Sequence, residues 1–226
     1  GERLDKLQKD GIIVNSKSYS IPAISPDQAD SPADLILVAL KHHHLPEAVH
    51  NLGCLVGPNT TFLSVMNGLE SEETIGAIFG MEKILHSIVL GIDAVRVENS
   101  TTYSSQGRVF FGEAINITET DRVRQIRELF ERAGINYVIP DDMIRALWWK
   151  FMINVGVNQV SAVLRAPYGV FQSVSEASRL MEAAMKEVIR LAGAEGVALR
   201  EEDIREWGRI MSGLSPEGKT SMLQDV

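Results

Sequence analysis

Lys150, Asn154 and Asn158 stand at steps of four within residues 147–164, a stretch that is otherwise strongly apolar. In a helix this spacing sets an ammonium and two carboxamides in one row along one face. Ile153, Val157 and Val160 fall on other faces, where they can pack. An ammonium is a cation and a proton donor, and a carboxamide both donates and accepts hydrogen bonds. Such groups are costly to bury unpaired, so the row reads as the wall of a polar cleft. The spacing also admits plainer uses: Lys150 could reach past its neighbours to solvent, and the asparagines could bridge to an adjoining helix.

Two further candidates follow apolar runs of strand length. Lys41 comes directly after residues 35–40, and Asn67-Gly68 comes directly after residues 61–66. In open α/β sheets, ligands bind outside the carboxyl ends of the strands. Gly68 permits close backbone approach or positive φ, and Asn67 offers a donor and an acceptor. Asn-Gly also suits an ordinary turn. Near the end, Lys219-Thr220-Ser221 brings hydroxyls to a helix start, an arrangement that suits an anion or simple N-capping. His42-His43-His44 lacks partners at ligand spacing, so no metal is expected. A complete Gly-x-Gly-x-x-Gly fingerprint, a Walker-type loop and a nucleophile elbow are all missing from these residues.

The elements that must hold these groups divide the chain in two. Residues 2–9 read as a helix ending at Gly11, and 12–14 as a short strand. The runs 35–40 and 61–66 have the signature of strands buried on both faces of a parallel sheet, joined by a helix over 43–52. Residues 84–92 are strand-like, and Thr101–Ser104 with Arg108–Phe111 read as a hairpin across Ser105-Gln106-Gly107. An amphipathic helix spans 119–134, capped by Thr118 or Thr120, and a strand follows at 135–139. Beyond Pro140 the pattern is nearly all helix: a long one to about 164, another from Ser173 or Ser175 to near Gly196, and shorter ones around 200–211 and from about 215 onward. The fold class is therefore α/β: an incomplete Rossmann-type dinucleotide-binding domain over 1–141, then an all-α domain over 142–226. Clefts between such domains are common ligand sites, and Lys150, Asn67 and Lys41 are expected to face one.

The 226 residues carry a net charge of −8 with no basic run, which argues against a nucleic-acid or anionic-membrane surface. No run reaches membrane-spanning length and no signal peptide is visible. Cys54, the only cysteine, has no disulfide partner within the chain, suits a cytoplasmic setting and is expected to pack. The chain opens on Gly1-Glu2-Arg3-Leu4 and closes on Gln224-Asp225-Val226, both in apparent mid-helix, which reads as part of a longer protein.

Taken together, these segments resemble the ketopantoate reductase (2-dehydropantoate 2-reductase) family over essentially the whole chain. Leu37-Val38-Ala39-Leu40-Lys41 is similar to its strand ending in a cofactor-contacting lysine, and Asn67-Gly68 to its turn between cofactor and substrate. Ala94 falls where the family places a backbone contact to the cofactor. Leu147-Trp148-Trp149-Lys150 with Asn154 and Asn158 resembles the catalytic helix, and Ser221-Met222-Leu223-Gln224-Asp225 a late substrate-binding motif. The family's amino-terminal strand, Gly-rich loop and catalytic-site glutamate have no counterpart in these residues. His44 replaces a usual glutamine, and Tyr168 an asparagine found in some members.

The resemblance implies reduction of the 2-oxo acid 2-dehydropantoate to pantoate, in pantothenate and coenzyme A biosynthesis, with NADP(H) as cofactor. It implies Lys150 as proton donor, Asn67, Asn154, Asn158 and Ser221 as substrate-binding residues, and Lys41, Asn67 and Ala94 against the cofactor. A cytoplasmic enzyme acting on a small molecule, without nucleic acid, membrane or metal and compatible with a homodimer, fits this reading. Two alternatives stay open: a reductase of another branched 2-oxo acid on the same fold, and a ligand-binding relative without turnover.

Overall fold

In the computed structural model, which describes residues 2–226 and leaves Gly1 outside, the chain forms two compact units, one ending at Met143 and the other spanning Ile144–Val226. The first unit begins with α1 (Glu2–Asp10), β1 (Ile12–Val14) and β2 (Lys17–Tyr19). It continues through β3 (Leu35–Val38), α2 (Leu45–His50), β4 (Thr61–Ser64) and α3 (Ser71–Phe79) to β5 (Ile84–Ile92). After β6 (Val95–Val97), β7 (Ser100–Thr102) and β8 (Gln106–Gly112) come α4 (Asp121–Ala133) and β9 (Tyr137–Val138). The main sheet has the order β3-β4-β5-β8-β9; its pairs are parallel except β5 with β8, which run antiparallel. A small second sheet has the order β2-β1-β7-β6.

Apolar runs explain the main sheet. All four residues of β4 are buried, as a central strand requires. One side packs Val38, Phe62 and Ile84 against Leu45, Val49 and Ile75 of the helices. The other packs Leu63, Leu85 and Phe111 against Val123, Ile126 and Phe130 of α4. That helix ends where Gly134 takes φ +66°, and its N-cap is Thr120, whose hydroxyl donates to Glu113 instead of capping.

In the first unit three expectations need correction. β3 is not buried on both faces: it lies at the sheet edge, and Leu37 is 56% exposed. The hairpin across Ser105–Gly107 does not form, because β7 pairs with β1 and β6 while β8 pairs with β5. The Asp93 carboxylate accepts from the backbone N–H groups of Ser104 (2.9 Å) and Ser105 (2.7 Å), fixing the chain where it passes from one sheet to the other. Cys54 is exposed rather than packed; its thiol donates to the Pro26 carbonyl at 2.8 Å.

The second unit is helical: α5 (Met143–Ile153), a π-helical segment over Asn154–Gln159, α6 (Val160–Leu164), α7 (Tyr168–Ser173), α8 (Ser175–Ala194), α9 (Glu201–Ser212) and α10 (Ser221–Asp225). Its core joins Met152, Ile153, Val157 and Val160 to Met181, Met185 and Val188 of α8, and to Ile204, Trp207 and Met211 of α9. The expected single α-helix to residue 164 is thus interrupted. Among the described residues no helix is long and apolar enough to cross a membrane.

Candidate functional site

In the first unit, parallel β3 and β4 bring two polar turns side by side. Lys41 follows β3 and is exposed; Asn67, also exposed, follows β4. A 3.7 Å contact between His42 Nε2 and Glu70 Oε2 links the two turns, although both side chains are largely in solvent and the pair contributes little. Gly68 takes φ +108°, and a Cβ built there would meet nothing within 4 Å. The backbone is therefore open to a ligand at the carboxyl end of the sheet, where α/β folds receive one. Ala94 is exposed in the link between β5 and β6, immediately after Asp93. His42, His43 and His44 form an exposed 3-10 turn, and among the described residues no group of three or more His, Cys, Asp or Glu side chains could hold a metal ion.

In the second unit, Lys150 stands in the last turn of α5 at 9% exposure. Asn154 and Asn158, both half-buried, open and nearly close the π-helical segment. Asn158 Nδ2 donates to Asn154 Oδ1 at 3.1 Å, so the two amides form a pair. That bond uses one donor and one acceptor; the pair still carries an amide N–H₂ on Asn154 and a carbonyl oxygen on Asn158. Within it Gly156 lets α8 approach closely: a Cβ on Gly156 would lie 2.4 Å from Met185 Cγ. Single π turns within α-helices are rare and frequently occur at functional sites.

Helix α10 packs against this π-helical segment and against α6, bringing the exposed Ser221 to the same region. Thr220, 2% exposed, holds it there. Its Oγ1 accepts from Leu223 N–H at 3.1 Å and donates to Ser161 Oγ at 3.1 Å; Ser161 in turn donates to the Ala166 carbonyl at 2.8 Å. Tyr168 carries the preceding loop, with its N–H bonded to Gly218 O at 3.0 Å and its ring where any side chain on Gly218 would sit. Burial pushes the Tyr168 phenol up.

This geometry meets an independent line of evidence. The profile described as "Ketopantoate reductase PanE/ApbA" matches residues 1–116, and its C-terminal companion matches residues 142–226. The chain belongs to the ketopantoate reductase family. A 2-dehydropantoate 2-reductase of Streptococcus pyogenes is 22% identical over 228 residues, covering 100% of this chain and 74% of that relative. The crystal structure of 2-dehydropantoate 2-reductase from Geobacter metallireducens superposes with a TM-score of 0.83 at 26% identity, covering 96% of this chain and 74% of the other. A dimeric ketopantoate reductase from Staphylococcus aureus shares the fold, with a TM-score of 0.79 at 21% identity over 95% of this chain and 71% of the other. The family is one of 2-oxo acid reductases, and the mixed α/β sheet followed by a helical region is its architecture.

Sequence reading missed the π-helical segment and the Thr220–Ser161 link. Gly156 between two valines was the available signal for the first. The second joins residues 59 positions apart, which no local pattern reveals.

Proposed function

We propose that this ketopantoate reductase family member reduces 2-dehydropantoate to pantoate with NADPH, the first unit holding the cofactor and the second the substrate and the proton. One observation carries the reading: Lys150, buried, lies one turn before the paired Asn154 and Asn158, on a segment against which the Ser221 helix packs. The first unit fits the cofactor, since Gly68 leaves open space where a Cβ would stand and Lys41 offers a cation beside it. In this reading Lys41, Asn67 and the Ala94 backbone hold NADPH, which supplies the hydride when bound.

As the ketone carbon takes that hydride, negative charge develops on its oxygen. Lys150 stabilises this charge and donates the proton that completes the hydroxyl. Asn154, Asn158 and Ser221 bind the hydroxyl and carboxylate groups of the substrate, and Asn67 is assigned to substrate as well as cofactor. Orienting the ketone in this way lowers the entropic part of the barrier.

Steady-state kinetics on the full chain test the assignment. Lys150→Ala should lower kcat by roughly 10²–10⁴-fold, with NADPH affinity by calorimetry unchanged. A folded Lys150→Ala protein with near-normal kcat overturns it. A panel of 2-oxo acids tests the substrate: the highest kcat/KM should fall on 2-dehydropantoate, and a higher value on another branched 2-oxo acid replaces it.

A further inference from the structure

Behind the Asn67-Gly68 turn lies a line of buried hydroxyls that ends on a carboxyl. Ser64 closes β4, Ser87 lies in β5, and Ser71 and Glu72 open α3. All four are buried, Glu72 at 3% exposure. Ser71 Oγ donates to Glu72 Oε2 at 2.7 Å, and the hydroxyls of Ser64 and Ser71 are 2.7 Å apart. A serine has one proton to give. Ser71 spends its proton on Glu72, so the proton between the two serines comes from Ser64. The Met66 N–H reaches Ser64 Oγ at 3.4 Å, and Ser87 Oγ donates to the Ser64 carbonyl. The bonds therefore run in one direction, from Met66 N–H through Ser64 and Ser71 to Glu72.

This relay ties together both ends of the loop over residues 65–70. Its middle is Asn67 and Gly68, the latter at φ +108°, a conformation favoured by glycine and prone to relax if its flanks loosen. A carboxyl buried this deeply is expensive, and burial pushes Glu72 up from the usual carboxylate range despite the Ser71 hydroxyl and nearby backbone N–H groups. An apolar residue would fill the space at lower cost, but it could not accept the relay's last proton.

We propose that Glu72 is a positioning residue: acting through Ser71 and Ser64, it fixes the Asn67-Gly68 turn in the conformation that receives the nicotinamide cofactor. The proposal rests on reading that turn as part of the reductase's cofactor site. What the relay needs from Glu72 is an acceptor, not a charge.

Three variants of the full chain test this: Glu72→Ala, Ser71→Ala and Glu72→Gln. Hydrogen exchange over residues 65–71 reads the turn directly, and NADPH titration reads its consequence. Glu72→Ala and Ser71→Ala should each speed exchange in this segment and weaken NADPH binding by roughly tenfold, the equivalent of one lost hydrogen bond at the upper end of its usual range. Glu72→Gln keeps the acceptor and should match the parent in both. In an Asn67→Ala background, Glu72→Ala should cost little further affinity, because the residue it positions is already gone. Unchanged exchange in a folded Ser71→Ala protein overturns the proposal, as does a Glu72→Gln variant as impaired as Glu72→Ala. Should Glu72→Ala fail to fold, Ser71→Ala decides. A parent chain that binds NADPH but reduces no 2-oxo acid removes the reductase reading alone, since exchange and titration require no turnover.

Discussion

The asparagine pair shows how a single hydrogen bond changes what a row of side chains can do. Spacing alone presents Asn154 and Asn158 as two independent amides, but their 3.1 Å contact couples them. Each holds the other's orientation, leaving one donor group and one acceptor fixed side by side. On the proposed reading each also contacts the substrate, so removing either loses one direct contact and frees its partner. Alanine at either position should therefore raise KM for the 2-oxo acid by about tenfold, and the double variant should cost less than the product of the two. Asn158→Asp should be worse than Asn158→Ala, because it sets a carboxylate against the Asn154 oxygen and against the substrate's own carboxylate. Steady-state KM values for the three variants and the double check the coupling; strictly multiplicative effects would show that the amides act alone. Lys150, Asn154 and Asn158 were legible as a group because residue type and spacing suffice to raise the question. Their pairing was not, since it depends on the local helix geometry.

That geometry belongs to the scale of the element. Strand runs at 35–38, 61–64 and 84–92 and the helix over 121–133 follow from period and capping, and sequence reading finds them within a few residues. The short β2 and β6 escaped it, each three residues long with every residue exposed; the sequence marks β7, as a strand over 101–104, but as the partner of β8 instead of β1 and β6. The π-helical segment escaped for another reason. No local period marks a π turn, and here Gly156 faces Met185 of α8 across a gap too small for a Cβ. Gly156→Ala should therefore destabilise the protein by roughly 1–3 kcal/mol through overpacking. Met185→Ala alone opens a cavity and should cost roughly 2–5 kcal/mol. Combined, the added methyl enters the vacated space, so the double variant should be more stable than the sum of the singles by about 0.5–3 kcal/mol. Urea midpoints of the four proteins check this. Additive losses would mean that the close approach at Gly156 does not set the helix packing.

At the scale of the whole molecule, sequence reading reached the α/β-then-helical order because that order is written in apolar periodicity, but it did not reach the tertiary polar links that hold distant segments together. The clearest of these centres on Arg122 of α4. Its guanidinium binds the Glu113 carboxylate through Nε at 2.7 Å and through Nη2, and also reaches the Glu82 carbonyl ahead of β5. The Arg122 hydrogen bonds hold the Glu113 carboxyl below the usual carboxylate range, against desolvation that would raise it. His86 beside them is buried, which pushes its imidazole down. Both shifts act in the same direction. A group whose folded pKa is depressed contributes stability above its unfolded value and loses it as pH falls through the folded one. Acid should therefore weaken the fold first below about pH 6.5 through His86 and again below about 4.5 through Glu113. Glu113→Gln isolates the second step. At pH 7 it should be less stable than the parent by roughly 1.5–3 kcal/mol, the range for hydrogen bonds to a charged group. As pH falls through the lowered Glu113 range the parent's carboxylate is itself protonated, and the gap should close. Urea unfolding of both proteins from pH 7 to pH 3 measures it; a gap that stays constant to pH 3 would show that the Glu113 charge contributes nothing to the fold.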